Sequence, residues 1–347
     1  MGVLVSFLAV VALLLTVLVG VDVLGWRWLF GAAIPYAAAA VFAVGVVLKV
    51  LDWARSPVPF RIPTTCGQQK SLPWIEQSKV ENPSTTLGVI ARMALEVLCF
   101  RSLFRNTRAQ LQDGHLAYAS SKWLWAAGLA FHWSFLVILL RHLRFFAEPV
   151  PRFVLTLARL DGFFLVGLPV FFATTLVFLG AVTFLFLRRV VSPPLRYLSL
   201  PGDYFPLFLL LAIGVSGAWM RHVSKIDVPS VKAMTMGLLH LAPPSKVVAD
   251  TAFYVHLFFV STLLAYFPFS KLMHMAGVFL SPTRNLTANS REVRHVNPWN
   301  APVPVHSYQE YEDEFRERMR EAGLPLEIDR RAEGATLRGP LGGEKEA

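Results

Sequence analysis

Long apolar stretches, separated by polar segments, occupy most of the chain before a polar C-terminal tail. An α-helix needs about 20 predominantly apolar residues to cross a bilayer. Six stretches approach or exceed that length: Val3–Leu24, Leu29–Lys49, Leu124–Phe145, Phe163–Leu187, Phe205–Met220 and Ala252–Met273. The pattern predicts an all-α integral membrane protein with six transmembrane helices.

The apolar and polar segments divide the chain into four expected regions. Residues 1–52 form an N-terminal transmembrane hairpin, and residues 53–123 form a cytoplasmic loop. Residues 124–278 carry the remaining four helices, which we expect to form a four-helix bundle. Residues 279–347 form a cytoplasmic tail that docks a soluble partner.

The loop and the tail each contain one expected helix outside the spans. Apolar and charged residues alternate with helical periodicity at Leu87–Phe104, which predicts an amphipathic helix. It either lies in the membrane interface, with Arg92, Arg101 and Arg105 at anionic headgroups, or supports a partner. In the tail, Ser307–Ala322 predicts a charged helix, and Glu333–Ala347 lacks apolar periodicity and is expected to be disordered.

The composition supports membrane insertion and sets an orientation. The chain is 54% hydrophobic and 16% charged, whereas soluble domains carry about 25% charged residues. The net charge of +10 does not indicate nucleic acid binding, because the Lys and Arg residues flank apolar helices. The positive-inside rule places the long loop and both termini in the cytoplasm, with the chain in the inner membrane.

Neither the first apolar stretch nor the two cysteines indicates processing or metal binding. The stretch lacks a basic n-region and exceeds the usual signal-peptide core of about 7–15 residues, so we expect it to remain as an anchor. Cys66 and Cys99 lack metal-ligand spacing and are expected to be reduced thiols.

Four histidines lie in, or at the end of, two of the predicted spans. His132 and His142 are ten residues apart in the third span, which corresponds to about 15 Å along a helix. His256 and His274 are eighteen residues apart, about 27 Å on one regular helix, with Pro268 expected to kink it. An imidazole in hydrocarbon is costly unless something binds it, so these residues are candidate metal ligands.

Because the third and sixth spans run antiparallel, we expect histidines at similar depths in the membrane to face each other. His132 and His274 form an inner pair near the cytoplasmic side, and His142 and His256 form an outer pair near the opposite side. Bis-histidine ligation of both pairs would then hold two stacked haems b. Their irons would be roughly 20 Å apart, a value between the rise of about 15 Å from His132 to His142 and that of about 27 Å from His256 to His274. The other five histidines are expected to be ordinary surface residues: His115, His222, His240, His295 and His306.

Three motifs in Leu124–Val278 resemble the gamma subunit of respiratory nitrate reductase. They are the His-x9-His spacing of His132 and His142, the sequence Gly-Asp-Tyr-Phe-Pro at 202–206, and Ala-Tyr-Phe-Pro-Phe-Ser-Lys at 265–271 between His256 and His274. In that family the outer histidines share one haem and the inner histidines the other. The N-terminal hairpin, the long loop and the tail resemble the DsrM branch, the membrane cytochrome of a sulfite-reduction-associated complex.

The resemblance implies a redox subunit without a catalytic residue or a complete active site of its own. Its cofactors would be two haems b, and it would exchange electrons between menaquinone and a cytoplasmic DsrK-like iron–sulfur subunit. DsrJ-, DsrO- and DsrP-like subunits would complete the assembly in dissimilatory sulfur metabolism. The alternatives are the gamma subunit of another respiratory complex and, disfavoured by the near absence of Asp and Glu in the spans, a haem-free transporter or scaffold.

Several charged residues are candidates for contacts with the cofactors. Arg141 and Arg144 are predicted at the outer haem, and Arg188 and Lys271 at the inner haem. Arg159 and Asp161 are predicted at a quinone site. Anchoring of these side chains at the membrane surface is the competing explanation for each of them.

Overall fold

The computed structural model describes residues 1–56, 76–112, 114–164, 170–242, 248–281, 284–289 and 306–327. The chain is divided into two compact units, Met1–Asn297 and Pro298–Ala347. Within the described residues, six helical segments are long and apolar enough to cross a membrane: Gly2–Val23, Leu29–Arg55, Lys122–Phe145, Ala173–Val191, Pro201–Ser224 and Thr251–Phe269. The prediction of an all-α membrane protein with six spans is confirmed.

The first unit contains twelve α-helices within its described residues. They are α1 (Gly2–Leu18), α2 (Ile34–Arg55), α3 (Thr86–Cys99), α4 (Arg101–Arg105), α5 (Lys122–His142), α6 (Arg152–Asp161), α7 (Ala173–Val191), α8 (Pro193–Leu198), α9 (Pro201–Trp219), α10 (Val228–Leu239), α11 (Thr251–Tyr266) and α12 (His274–Leu280). Wider π-helical turns extend α1 through Val19–Val23, lead into α2 at Leu29–Ala33, and extend α9 through Met220–Ser224.

Four of the spanning helices form an open ring. The helix α7 packs on both α5 and α9, and α9 packs on α11. On the outside of this ring, α1 lies against α9, and α2 lies against α11. A core of buried side chains joins these helices, including Val17, Leu209, Tyr254 and Phe259. The fourth side of the ring, between α5 and α11, carries His132, His142 and His256, and His274 follows at the start of α12.

Two short hairpins accompany the helices. Strands β1 (Thr107–Gln112) and β2 (His115–Ser120) pair antiparallel just before α5. The sequence signal for this unpredicted hairpin is Asp-Gly at 113–114 between alternating residues, and Gly114 has φ +78°. Strands β3 (Gly162–Phe164) and β4 (Phe171–Phe172) pair just before α7.

The hairpin of β3 and β4 corrects the predicted fourth span. That span was expected at Phe163–Leu187, but α7 begins only at Ala173. Pro169 disfavours a helical conformation in the residue before it, which explains why the apolar run from Phe163 does not continue into one helix. Residues 165–169 lie outside the described part of the chain.

The fifth and sixth spans also differ from prediction. The fifth begins at Pro201 rather than Phe205, because Asp203 accepts a hydrogen bond from the Leu200 amide (3.0 Å) and caps the earlier start. In the sixth, Pro268 does not kink a continuous helix, since α11 ends at Tyr266. Two 3-10 turns, Phe267–Phe269 and Lys271–Met273, with Ser270 extended between them, lead into α12. The 27 Å spacing expected for one regular helix therefore does not apply.

The amphipathic helix expected at Leu87–Phe104 is divided into α3 and α4. Phe100, between them, has φ 51° and ψ 46°, in the left-handed region. Arg92 is buried, and Arg101 and Arg105 pair with Glu81. Arg92 is therefore not available to an outward cationic face, whereas the side chains of Arg101 and Arg105 remain 33% and 50% exposed.

The second unit contains α13 (Tyr308–Glu321), as the charged segment predicted. Ser307 accepts from the Glu310 amide, and the Glu310 carboxylate accepts from the Ser307 amide, which forms a capping box. Glu333–Ala347, His295 and Cys66 lie outside the described residues. Cys99 is a free, exposed thiol.

Candidate cofactor site between α5 and α11

The structure brings the four histidines of the spans together as two facing pairs. The ring centroids of His132 and His274 are 5.9 Å apart with an interplanar angle of 82°. Those of His142 and His256 are 6.4 Å apart with an interplanar angle of 12°. These are the inner and outer pairs expected from the antiparallel order of the helices. Their ligation of haem stays a prediction.

The Nδ1 atom of each imidazole has a local hydrogen-bond partner. In three of the rings, Nδ1 donates to a backbone carbonyl three or four residues earlier: His132 to Gly128 (2.7 Å), His142 to Ile138 (2.7 Å) and His274 to Lys271 (2.8 Å). In His256, Nδ1 lies 2.9 Å from the Ser216 hydroxyl, which itself donates to the Ile213 carbonyl (3.1 Å). This arrangement leaves Nε2 of every ring as the available ligand atom.

The spacing within each pair suits a metal ion bound on both sides. With metal–nitrogen bonds of about 2 Å and ring centres about 1 Å behind each nitrogen, two axial imidazoles have centroids roughly 6 Å apart. Across the described residues of α5 and α11, the two backbones do not pack closely, so the histidine pairs bridge the space between the helices. The donor set therefore fits two bis-histidine haems b.

Glycines on α9 allow close approach from its neighbours. A Cβ atom at Gly217 would lie 3.2 Å from Cε1 and 3.7 Å from Nδ1 of His256. A Cβ atom at Gly214 would lie 2.8 Å from the Phe178 ring of α7. Gly214 thus serves helix packing, whereas Gly217 makes room for a histidine of the outer pair.

A buried ion pair lies beside the outer histidines. Arg141 precedes His142 and binds Asp161 at 3.1 Å, and both side chains are more than 90% buried. The guanidinium carbon of Arg141 lies 3.7 Å from the ring centroid of Phe172, and that of Arg221 lies 4.3 Å from the same ring. Within the described residues, Nε of Arg141 is buried without a hydrogen-bond partner. A buried guanidinium atom of this kind suits an anionic group such as a haem propionate.

Asp161 also organises the start of α7. Its carboxylate accepts from the Thr174 amide (2.8 Å) and the Thr174 hydroxyl (2.6 Å). The carboxylate thereby joins α5 to α7 through Arg141 and Thr174. The sequence could identify Asp161 as an unusual charge near a span but could not show its three partners.

A second acidic residue, Asp203, lies at the opposite end of the site. Its carboxylate binds Nζ of Lys271 at 2.6 Å, and Arg189 is 3.8 Å away. The Lys271 carbonyl accepts from Nδ1 of His274, so Asp203 holds the backbone segment that orients this histidine. Asp203 belongs to the Gly-Asp-Tyr-Phe-Pro motif at 202–206, but no role for it could be predicted from the sequence. The signal available was a single acidic residue at the start of a predicted span.

The remaining candidates differ in their surroundings. Arg144 is half-buried, with its guanidinium carbon 5.7 Å from the Phe145 ring centroid, whereas Arg159 is exposed on α6. Arg188 lines a separate cleft of about 490 Å³ with Trp123 and Phe184. Among the other histidines, His222 stacks on Phe171 with centroids 4.2 Å apart. His115, His240 and His306 are exposed, as expected.

Replacing Asp203 with asparagine is expected to change the inner site without unfolding the chain. The substitution keeps the shape but removes the charge that holds Lys271, so it alters both the local field and the orientation of His274. For a haem bound by the inner pair, we expect the potential to shift positively by on the order of 60 mV, a tenfold change for a one-electron couple. A redox titration measures this shift. Asp52→Asn is the matched control, because Asp52 pairs with Lys49 (3.4 Å) at an exposed helix end; equal shifts in both variants would contradict the assigned role.

Comparisons with known proteins agree with this arrangement. Residues 85–295 match the family model for the nitrate reductase gamma subunit, which confirms the resemblance stated above. A protein of Archaeoglobus fulgidus, described as an Hdr-like menaquinol oxidoreductase cytochrome b-like subunit, is 46% identical over 285 residues, covering 80% of this chain and 85% of its own length. A protein of the same description from Archaeoglobus profundus is 42% identical over 282 residues, covering 79% and 84%. The chain is thus a multi-pass membrane protein that belongs to the nitrate reductase gamma subunit family.

Proposed function

We propose that this chain is a dihaem cytochrome b that transfers electrons between menaquinone and a cytoplasmic iron–sulfur subunit. The observation that carries the proposal is the pair of facing imidazoles at each of two depths, with each Nδ1 atom engaged locally. The relatives in the two Archaeoglobus species are named as menaquinol oxidoreductase subunits, which supports menaquinone as the redox partner.

The four histidines would hold the two haems, and their surroundings would fix the rings before the cofactor binds. The carbonyls of Gly128, Ile138 and Lys271 set the tautomer of three imidazoles, and the Ser216 hydroxyl sets that of His256. A haem bound between such imidazoles supplies one-electron transfer, and the protein supplies ligands, orientation and exclusion of water.

Charged side chains would interact with the cofactor edges and the quinone. Among the outer candidates, Arg141 has the strongest support, because its Nε atom is buried without a partner in the described residues. Arg144 would assist at the same end, and Arg159 with Asp161 would border the quinone. At the inner end, Lys271 and Arg188 would face the other haem; Lys271 is 82% exposed at its side chain and bound to Asp203.

The proposed assembly places both termini and the long loop in the cytoplasm. A DsrK-like iron–sulfur subunit would dock there and exchange electrons with the inner haem, with residues 279–347 as the docking tail. DsrJ-, DsrO- and DsrP-like subunits would complete a complex of dissimilatory sulfur metabolism. The description of the relatives as Hdr-like equally supports a related complex with a different set of partner subunits.

The proposal is tested with the complex purified from its native membrane. We expect two haems b per copy of this chain and reduction of both by a menaquinol analogue. Both haems should be reoxidised when an electron acceptor for the iron–sulfur subunit is added. Pyridine haemochrome analysis and difference spectra measure these properties. A colourless chain obtained under ample haem supply would exclude the function, and haems that menaquinol leaves oxidised would exclude the quinone assignment.

A further inference from the structure

The corner between α3 and α4 lies beside the membrane-spanning part of α5. The ring of Phe100 is 4.9 Å from that of His132, and a Cβ atom at Gly128 would lie 3.7 Å from Cδ2 of Leu103. Gly128 is six residues beyond Lys122, the first residue of α5, which corresponds to about 9 Å of helical rise. The ring of Phe104 is 4.9 Å from that of Trp125, so α4 leads back toward the beginning of α5.

The helix α3 presents an apolar face outward and keeps its polar groups inside. Leu87, Ile90 and Leu98 are 76%, 60% and 51% exposed. On the opposite side, Arg92 is buried, and Glu96 accepts from the Ser102 hydroxyl at 2.6 Å and lies 3.6 Å from Arg284. Outward apolar residues and inward paired charges are the pattern expected of a helix that contacts lipid rather than water.

The C-terminal end of α3 has the hydrogen bonds that a helix end in hydrocarbon requires. The last carbonyls of a helix lack partners within the helix, and in a bilayer water does not supply them. Here the indole nitrogens of Trp133 and Trp125 donate to the carbonyls of Leu98 (3.1 Å) and Cys99 (2.8 Å). The Phe100 amide donates to the Glu96 carbonyl (3.1 Å).

The geometry points to α3 and α4 as a re-entrant membrane element. The corner enters the leaflet that contains His132, and the outward face of α3, formed by Leu87, Ile90 and Leu98, contacts lipid acyl chains. Phe100 lies at the corner, and its ring meets the His132 ring at an interplanar angle of 84°. This position of α3 and α4 in the bilayer does not depend on whether the histidines bind haem.

Spin labels on the exposed face test this position. The substitutions Ile90→Cys and Leu98→Cys are made one at a time in a chain that already carries Cys66→Ser and Cys99→Ser. Each variant is the full chain, assembled with its partner subunits in lipid nanodiscs. Collision of the label with oxygen, which concentrates in lipid, is compared with collision with a water-soluble nickel chelate. Both labels are expected to favour oxygen, and the label at Leu98 is expected to lie deeper than the label at Ile90.

Two matched positions calibrate the measurement. Leu139 of α5 is 54% exposed within a span and defines a lipid-facing label, and Tyr118 of β2 is 70% exposed outside the spans and defines a water-facing label. Labels at Ile90 and Leu98 that behave like Tyr118 would make α3 a surface helix and overturn the inference. Labels that neither reagent reaches would show that a partner protein covers the face, which also overturns it.

Discussion

Replacement of His142 or His256 with alanine is expected to lower the haem content from two to one per chain. Each residue supplies one of two axial nitrogens in the outer pair, and a haem held by a single imidazole at this site is no longer retained. His132→Ala and His274→Ala are expected to remove the inner haem instead. The two classes of variant should therefore retain haems with different midpoint potentials.

Pyridine haemochrome content per purified chain and a redox titration of the remaining haem measure these effects. His115→Ala is the control, since His115 is exposed on β2 outside the spans and should not change the haem content. The assignment is wrong if the four single substitutions of His132, His142, His256 and His274 all leave two haems per chain. It would also be wrong if substitutions of the inner and outer pairs left the same haem.

Replacement of Gly217 with valine is expected to disable the outer site selectively. The Cβ atom alone would lie 3.2 Å from Cε1 of His256, and the valine methyl groups need further space on the same side. The imidazole must then move away from α9 and from the Ser216 hydroxyl, which changes its position relative to His142. We expect loss of the outer haem, or a large shift of its potential, with the inner haem retained.

Gly180→Val provides a control for glycine replacement on a spanning helix. Gly180 lies on α7, and among the described residues no atom outside its chain neighbours and its own helical backbone is within 4 Å of a Cβ built there. The control should retain both haems with unchanged potentials. If Gly217→Val and Gly180→Val have indistinguishable haem contents and potentials, then the position of the His256 ring does not depend on the absence of a side chain at Gly217.

Local patterns were sufficient for the spans and for the identity of the histidines. A run of apolar residues predicts a spanning helix because the bilayer requires it over a fixed length, and six such runs were found where the structure has helices. The depth of each histidine follows from its position in a span, so antiparallel order alone was enough to pair His132 with His274 and His142 with His256.

Boundaries near prolines were predicted less well. The apolar run from Phe163 continues without a polar residue up to Thr174, so hydropathy did not reveal the hairpin formed by β3 and β4. At Pro268 the sequence indicates a disturbance, but whether a helix bends or ends depends on what satisfies the freed backbone groups. Here the Ser270 hydroxyl accepts from the Leu272 amide (3.2 Å) and begins a new turn.

The sequence by itself determined the class of protein, its six crossings and the positions of the four candidate histidine ligands, because each of these depends on residue type and on spacing along the chain. Only the tertiary structure decided which charges support the site. Asp203 meets Lys271 across 68 residues, and Arg221 reaches the Val170 carbonyl across 51 residues. The orientation of α3, with its apolar face outward, likewise depends on Trp125 and Trp133 of another helix. Such contacts arise from packing between distant segments, and no periodicity within a single segment contains them.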